Sequence, residues 1–581
     1  MRTVDELEVS YPHLERPRLD LKPGLIEKLE RRKILVLAVL TLAAFCVRAY
    51  QLDAVGLAED ETNKMFAIRS YEQGDFTANA DHPMVMKMLC YGSLHLAGAW
   101  NASVGNITGM SVSEETALRM PNALFGALTV IPLLLFASSL FGFRTGLVAS
   151  LLWAFGLNAV WINRVGKEDT LLVFFMLTAY HLYNRAKRLP ESDVAGQERL
   201  YALAGAAFGL MLASKYFLHY FGLNALFYYL AGYDSRNNRA LTRRMWLKFF
   251  GAMILAFVAF NPAAFLPKTW RYLLEFVSEN LVTHHGYPFM DGLYHNELSA
   301  MTSGMPWYFY FLFLTIKLPL PLLLAFAVGL VELFRHRGDP EVARGYLFLR
   351  MMLLFWLLPM SLVGSKFLRY TLTFMPLLYM TAAVGIVVIW RMASRAVKKM
   401  KLEPRIWPRA AAVAVALIFV LAPAITTVRS LPYPSLYLNA LGGGHTGYYF
   451  PHDEFYDLGA RESIKHVAET APEGASLASE IPGVVQYYLE RYNRPDIRSE
   501  IISHPKFDLL EDPPDYILLQ RGRLYFENLE EFKLIERSFS PEQASSYLGA
   551  DAARVYRLDR ARLNELHWAK GQSRRHSSMI K

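Results

Sequence analysis

The feature that most constrains this chain is a succession of long apolar runs separated by short basic gaps. A helix that crosses the hydrocarbon core of a bilayer needs about 20 predominantly apolar residues. Eleven runs approach that length: 34–50, 118–140, 145–162, 169–185, 200–213, 216–233, 246–266, 307–334, 346–363, 368–390 and 409–428. The fifth and sixth form one apolar stretch interrupted near Ser214 and Lys215. That stretch is too long for one crossing and short for two, so it predicts two tilted or shortened helices meeting at the break. With 53% hydrophobic and 19% charged residues among 581, the chain reads as a polytopic α-helical membrane protein of about 11 transmembrane helices. The two cysteines, Cys46 and Cys90, form neither a disulfide framework nor a metal motif.

The basic residues give direction. Arg31, Arg32 and Lys33 precede the first run; Arg185, Lys187 and Arg188 follow the fourth; Arg236, Arg239, Arg243 and Arg244 follow the sixth. Arg335 and Arg337 follow the eighth, and Arg391, Arg395, Lys398, Lys399 and Lys401 follow the tenth. With eleven crossings and a cytoplasmic N-terminus, every group falls on the cytoplasmic side, as the positive-inside bias requires. The net charge of +9 is therefore assigned to topology, and nucleic acid is not expected as a partner. Residues 1–33 read as a cytoplasmic segment leading into an uncleaved anchor, 34–428 as the membrane domain with large outer loops 51–117 and 267–306, and 429–581 as an extracytoplasmic α/β domain. In the last segment, 456–472 predicts a helix with Ile464, Val467 and Ala468 on one face, and ASLASEI, DYILLQ and RVYRL predict short strands. Pro432, Pro434 and Gly442–Gly444 mark the linker. The expected location is the plasma membrane, the inner membrane in a bacterium.

This topology puts the acids Glu59, Asp60 and Glu61 outside, with Asp81, His82 and Lys87 from the same loop. Arg164, Lys167, Glu168 and Asp169 come from the third-to-fourth turn, and Ser214, Lys215 and Tyr216 from the break. His284, His285 and Tyr287 precede the eighth run, and Lys366, Arg369 and Tyr370 lie in the ninth-to-tenth turn. Each has an ordinary alternative: a solvated acidic loop, a lysine snorkelling to the interface, or Asp81 capping the following helix. Ionisable groups from five loops converging on one face of a membrane domain point instead to a polar cavity. One carboxylate facing several cations suits transfer of a sugar from a lipid-linked phosphate to a hydroxyl. The carboxylate takes the acceptor's proton, and the cations stabilise the departing phosphate, which needs no general acid. A glycosidase would instead need two carboxylates flanking the bond.

Several stretches carry a family resemblance: Asp60-Glu61, ADHPMVMKML (80–89), RMPNALFGALTV (119–130), INRVGKEDTLLVFF (162–175), MLASKYF (211–217), PWYFYFLFLTIKLPLPLLL (306–324) and KFLRYTLTFMPLL (366–378). In order and topology they resemble the C-superfamily membrane glycosyltransferases that use polyprenyl-phosphate sugars, in the protein O-mannosyltransferase and aminoarabinose transferase branch. The resemblance spans roughly 34–390 and is weaker in the outer domain. It implies Asp60 as catalytic base with Glu61 beside it, Asp169 supporting a sugar, and Lys215, Lys366 and Arg369 on the donor phosphate. Asp81, His82, Arg164 and Tyr370 complete the expected substrate-binding set. No metal site is assigned. A divalent ion stays open through His82, His284 and His285, though no ligand spacing demands one. The implied activity is inverting transfer to a protein, lipid or polysaccharide hydroxyl. An oligosaccharyltransferase-like enzyme and a transporter or lipid flippase are the alternatives, the last disfavoured by the lack of internal repeats.

Overall fold

The computed structural model describes residues 23–231, 241–275, 284–296, 301–335, 340–399, 406–559, 561–563 and 565. Residues 1–22 of the expected cytoplasmic segment, the basic positions Arg236, Arg239, Arg337 and Lys401, and the side chains of His284 and His285 lie outside them.

The described chain up to Ser430 is mainly helical. Among the described residues four helices are long and apolar enough to cross a membrane: Glu114–Phe141, Val342–Leu362, Met375–Val397 and Ala410–Ser430. Ile34–Ala49 and Phe143–Phe155 are apolar but shorter. Other apolar runs form the helices Asp169–Arg188, Val194–Ser214, His219–Ala231 and Arg243–Phe260. The break expected near Ser214 is real: the helix ends there and Lys215 is extended, with φ −153° and ψ 138°.

A second break divides the eighth run into Phe309–Lys317 and Leu320–Arg335. Pro319 explains it, because proline drives the residue before it out of the helical region, and Leu318 is extended at ψ 139°. The freed carbonyls do not go unpaired. Asn439 donates its side-chain amide to Thr315 O (2.7 Å) and Leu318 O (2.8 Å), and its backbone N–H to Ile316 O (2.9 Å). Ile316 and Leu318 are buried, so their carbonyls need a protein donor, and a linker residue supplies it. Elsewhere glycine sets how closely helices pack. A Cβ on Gly205 would lie 2.0 Å from Phe249 O, and one on Gly209 2.2 Å from Met253 O, so Val194–Ser214 and Arg243–Phe260 pack backbone to backbone.

A two-stranded antiparallel hairpin, β1 (His284–Phe289) and β2 (Gly292–Asn296), stands in the 267–306 loop. The C-terminal region holds a five-stranded sheet of β3 (Ser476–Ser479), β4 (Arg498–Ile501), β5 (Tyr516–Gln520), β6 (Gln543–Tyr547) and β7 (Ala550–Arg557), in the order β4-β3-β5-β7-β6. β3, β4 and β5 run parallel, while β7 is antiparallel to both neighbours. Side chains alternate between two cores, as the two-residue strand period requires. Leu477, Tyr516, Leu518 and Val555 face one, and Ala478, Ile517, Leu519 and Tyr556 the other.

The first of these cores is not private to the C-terminal region. The buried face of helix Ala460–Thr470, with Ile464, Val467 and Ala468, shares one apolar cluster with Leu57, Met65, Ile68, Val85 and Cys90 of the first large loop. That shared core seats the sheet and its helices directly over the helix that carries Asp60.

Candidate active site

Glu59, Asp60 and Glu61 occupy the first turn of the helix Glu59–Glu72, where the unpaired N–H groups favour negative charge. Successive positions on a helix diverge by about 100°, and these acids go to different places. Glu61 is fully buried. It accepts from Arg119 Nε (2.7 Å) and Nη2 (2.5 Å), from Gly166 N (2.8 Å) and from Ala58 N (3.0 Å). Its lone pairs are spent on structure, so it supports the site rather than facing it. Asp60 keeps 29% of its side chain exposed. Its Oδ1 lies 2.6 Å from Lys167 Nζ, while Oδ2 accepts from the Tyr456 hydroxyl at 2.6 Å and has Arg369 Nη1 at 3.9 Å. Burial pushes this carboxyl upward. Lys167, Arg369 and Lys64 outweigh that effect and hold it well below the usual carboxylate range.

The turn Ile162–Asp169 places the cations, and nearly every residue in it has a fixed partner. Asn163 accepts from Arg48 Nε (2.9 Å) and donates to Thr170 (2.9 Å). Asn122 donates to the carbonyls of Val165 and Lys167. Gly166 N is tied to Glu61, which aims Lys167 at Asp60. Glu168 is buried against Lys64 at 2.9 Å, and Asp169 against Lys215 at 2.8 Å. Arg164 points the other way, donating to the carbonyls of Arg48 (3.0 Å), Tyr50 (2.5 Å) and Gln51 (3.0 Å). It closes the C-terminal end of the first helix and is not brought to Asp60.

The remaining expected residues divide. Lys215 lies over the rings of Phe217 (4.8 Å) and Tyr370 (5.2 Å), and the Arg369 guanidinium stands 5.5 Å from the same Tyr370 ring. Tyr370 thus joins two cations through its π face. Asp169 Oδ2 is buried with no hydrogen-bond partner among the described residues. His82 Nε2 is 3.5 Å from Asp81 and 4.0 Å from Glu168, and Asp81 also accepts from Tyr272 at 3.2 Å. Lys87 holds this loop through the carbonyls of Asn79 (2.6 Å) and His82 (2.8 Å). Lys366 departs from its expected place: it is buried, and its ammonium donates to the carbonyls of Met305 (3.0 Å) and Val363. Among the described residues no group of three His, Cys, Asp or Glu side chains is arranged to hold a metal.

Three contributors carried no role in the sequence reading. Lys64 lies one helical turn beyond Asp60, a spacing visible in the sequence, and Lys167 was gathered with the outer polar residues without a function. Tyr456 comes from a distant segment, Pro451–Asp457, whose dense run HDEFYD is the one signal that marks it.

The profile of the family described as dolichyl-phosphate-mannose-protein mannosyltransferase matches residues 96–265. That range includes Arg119, the 162–169 turn and Lys215, but not Asp60, Arg369 or Tyr456. No curated protein matches the chain in sequence. In fold the chain is similar to ArnT from Cupriavidus metallidurans bound to undecaprenyl phosphate. The TM-score is 0.50 at 12% identity, over 90% of this chain and 97% of that one. The apo form of the same protein gives 0.49 at 15%, over 92% and 99%. The archaeal oligosaccharyltransferase AglB from Archaeoglobus fulgidus, in complex with an inhibitory peptide and a dolichol-phosphate, gives 0.48 at 13%, over 90% and 74%. At these identities the likeness is one of fold, and the family profile covers 96–265 of the chain.

Proposed function

We propose that this protein is an inverting glycosyltransferase that moves a sugar from a polyprenyl-phosphate donor to an acceptor hydroxyl on the outer side of the membrane. The observation that carries the reading is the partly exposed Asp60 carboxylate held between Lys167 and Arg369, cations from two other segments. The acceptor is a hydroxyl of a protein, lipid or polysaccharide. The reading retains eleven crossings, a cytoplasmic N-terminus, large outer loops 51–117 and 267–306, an outer domain over 429–581, and residence in the plasma membrane.

In the reaction Asp60 takes the proton of the acceptor O–H. The acceptor oxygen forms its bond to the anomeric carbon on the face opposite the phosphate. The bond between that carbon and the phosphate oxygen breaks, and the electron pair leaves with the polyprenyl phosphate. Lys167 and Arg369 receive the charge that develops on it, with Lys215 and Tyr370 extending the cationic wall. Asp169 supports the sugar site from behind by holding Lys215 in place at 2.8 Å.

A carboxylate held as low as Asp60 is a weak base, and donor binding offsets this. The donor phosphate competes for the same two cations, and each contact it makes weakens their hold on Asp60. Basicity therefore rises when the leaving group is in place.

The test is Asp60→Asn, compared with wild type at equal membrane level, using purified protein in detergent and a radiolabelled polyprenyl-phosphate sugar. Transfer falls by about 10²–10⁴-fold if Asp60 is the base. Normal transfer by the variant would remove Asp60 from that role. Covalent transfer by wild type in detergent, where no gradient exists, separates the enzyme from a transporter.

A further inference from the structure

The segment Pro451–Asp457 reaches from the C-terminal region into the site, and its backbone pays a conformational cost to do so. Tyr456 (φ 45°) and Asp457 (φ 62°) are consecutive non-glycine residues in the left-handed region. Such a conformation persists only where its surroundings over-determine it.

Here they do. Asp457 accepts from Arg523 Nε (2.8 Å) and Nη2 (2.6 Å) and from Glu59 N (2.9 Å), the residue next to Asp60. Arg523 in turn reaches Glu59 at 2.6 Å. Glu454 is buried against Lys317 at 2.6 Å and accepts from Gly447 N at 2.6 Å. Asp453 accepts from Leu368 N at 3.0 Å, beside Arg369, and from the Tyr287 hydroxyl. These anchors fix the segment on both sides of Tyr456. Their joint result is one hydrogen bond, Tyr456 hydroxyl to Asp60 Oδ2 at 2.6 Å.

We infer that Tyr456 is a positioning residue for Asp60, so that the C-terminal region completes the active site as well as covering it. The inference rests on the reading of Asp60 as the base. Lys167 holds one carboxylate oxygen and Tyr456 the other, so the carboxylate cannot rotate. The carboxylate, 29% exposed, keeps a lone pair for the acceptor, and the phenol steadies the ionised form.

The experiment is Tyr456→Phe in the full chain, with kcat followed against pH at saturating donor. The ring is kept and only the hydroxyl is lost. The expected result is a fall in kcat of about 10-fold or more, with donor KM within about twofold. The acid limb moves to higher pH, because a donor to the charged form has been removed. If Tyr456→Phe does not accumulate in the membrane, 3-fluorotyrosine at position 456 replaces it. Its more acidic phenol binds the carboxylate more strongly and moves the limb to lower pH. An unmoved acid limb in the variant that is measured overturns the inference, whatever the loss of rate, since a merely structural role would lower activity without shifting it. Normal transfer by Asp60→Asn would instead overturn the reading of Asp60 itself, so the two failures are distinguishable.

Discussion

Replacing Glu61 by glutamine keeps the side chain's size and removes its charge, at a position with no exposure to water. Four donors converge on the carboxylate: two from Arg119 and the backbone N–H groups of Gly166 and Ala58. An amide presents one oxygen and one NH2, so whichever way it turns, a donor meets a donor. Arg119 cannot swing away to find a new partner, because it also donates to the carbonyls of Leu52, Val55 and Gly56, each at 2.7 Å. Breaking a buried, hydrogen-bonded ion pair from one side costs ~3–5 kcal/mol, a large share of the ~5–15 kcal/mol that separates a typical folded domain from its unfolded state. Denaturant unfolding in detergent measures the loss. A cycle with Arg119→Met then isolates the pair: the double variant is more stable than the sum of the single losses by ~2–3 kcal/mol. Activity falls with stability, since Glu61 also holds Gly166 N in the turn that aims Lys167. Glu61→Gln unfolding within ~0.5 kcal/mol of wild type, with Arg119→Met adding its full cost on top, would refute the assignment of Glu61 to support.

Lys167→Met releases one oxygen of Asp60, whose depressed carboxyl then rises. A depressed carboxyl contributes stability above its unfolded value of ~4 and loses it as pH falls through the folded value, so the variant destabilises at higher pH than wild type in unfolding measured between about pH 3 and 6; its KM for donor also rises. Lys317→Met leaves the buried Glu454 charge without its counter-ion, at a cost of ~3–5 kcal/mol; Lys317→Met/Glu454→Gln recovers part of this in the same unfolding assay, and no recovery would show that the pair does not couple. Asn439→Ala strips the donors from the Thr315 and Leu318 carbonyls at the Pro319 break. The buried Leu318 carbonyl left unpaired costs ~1–3 kcal/mol, read as a lowered midpoint in thermal unfolding.

The apolar runs, the break at Ser214–Lys215 and the strands near 476, 516 and 555 were legible because hydrophobic period and turn residues are local signals. The edge strands β4 and β6 were not, since neither presents a continuous apolar run and most of their side chains reach solvent. The Pro319 break was readable in principle but was masked by the apolar run around it.

What the sequence by itself determined is the chemical inventory: which residues carry charge, and that they stand at the ends of apolar runs, where burying them unpaired would be prohibitive. Only the tertiary structure decided which charges meet. It set Glu61 against Arg119, turned Arg164 and Lys366 onto backbone carbonyls, aimed Lys167 at Asp60, and brought Tyr456 across nearly 400 residues to the same carboxylate. The reason is range: hydrophobic period is written between neighbours, whereas an ion pair depends on the last few ångströms between segments that only the packed core brings together.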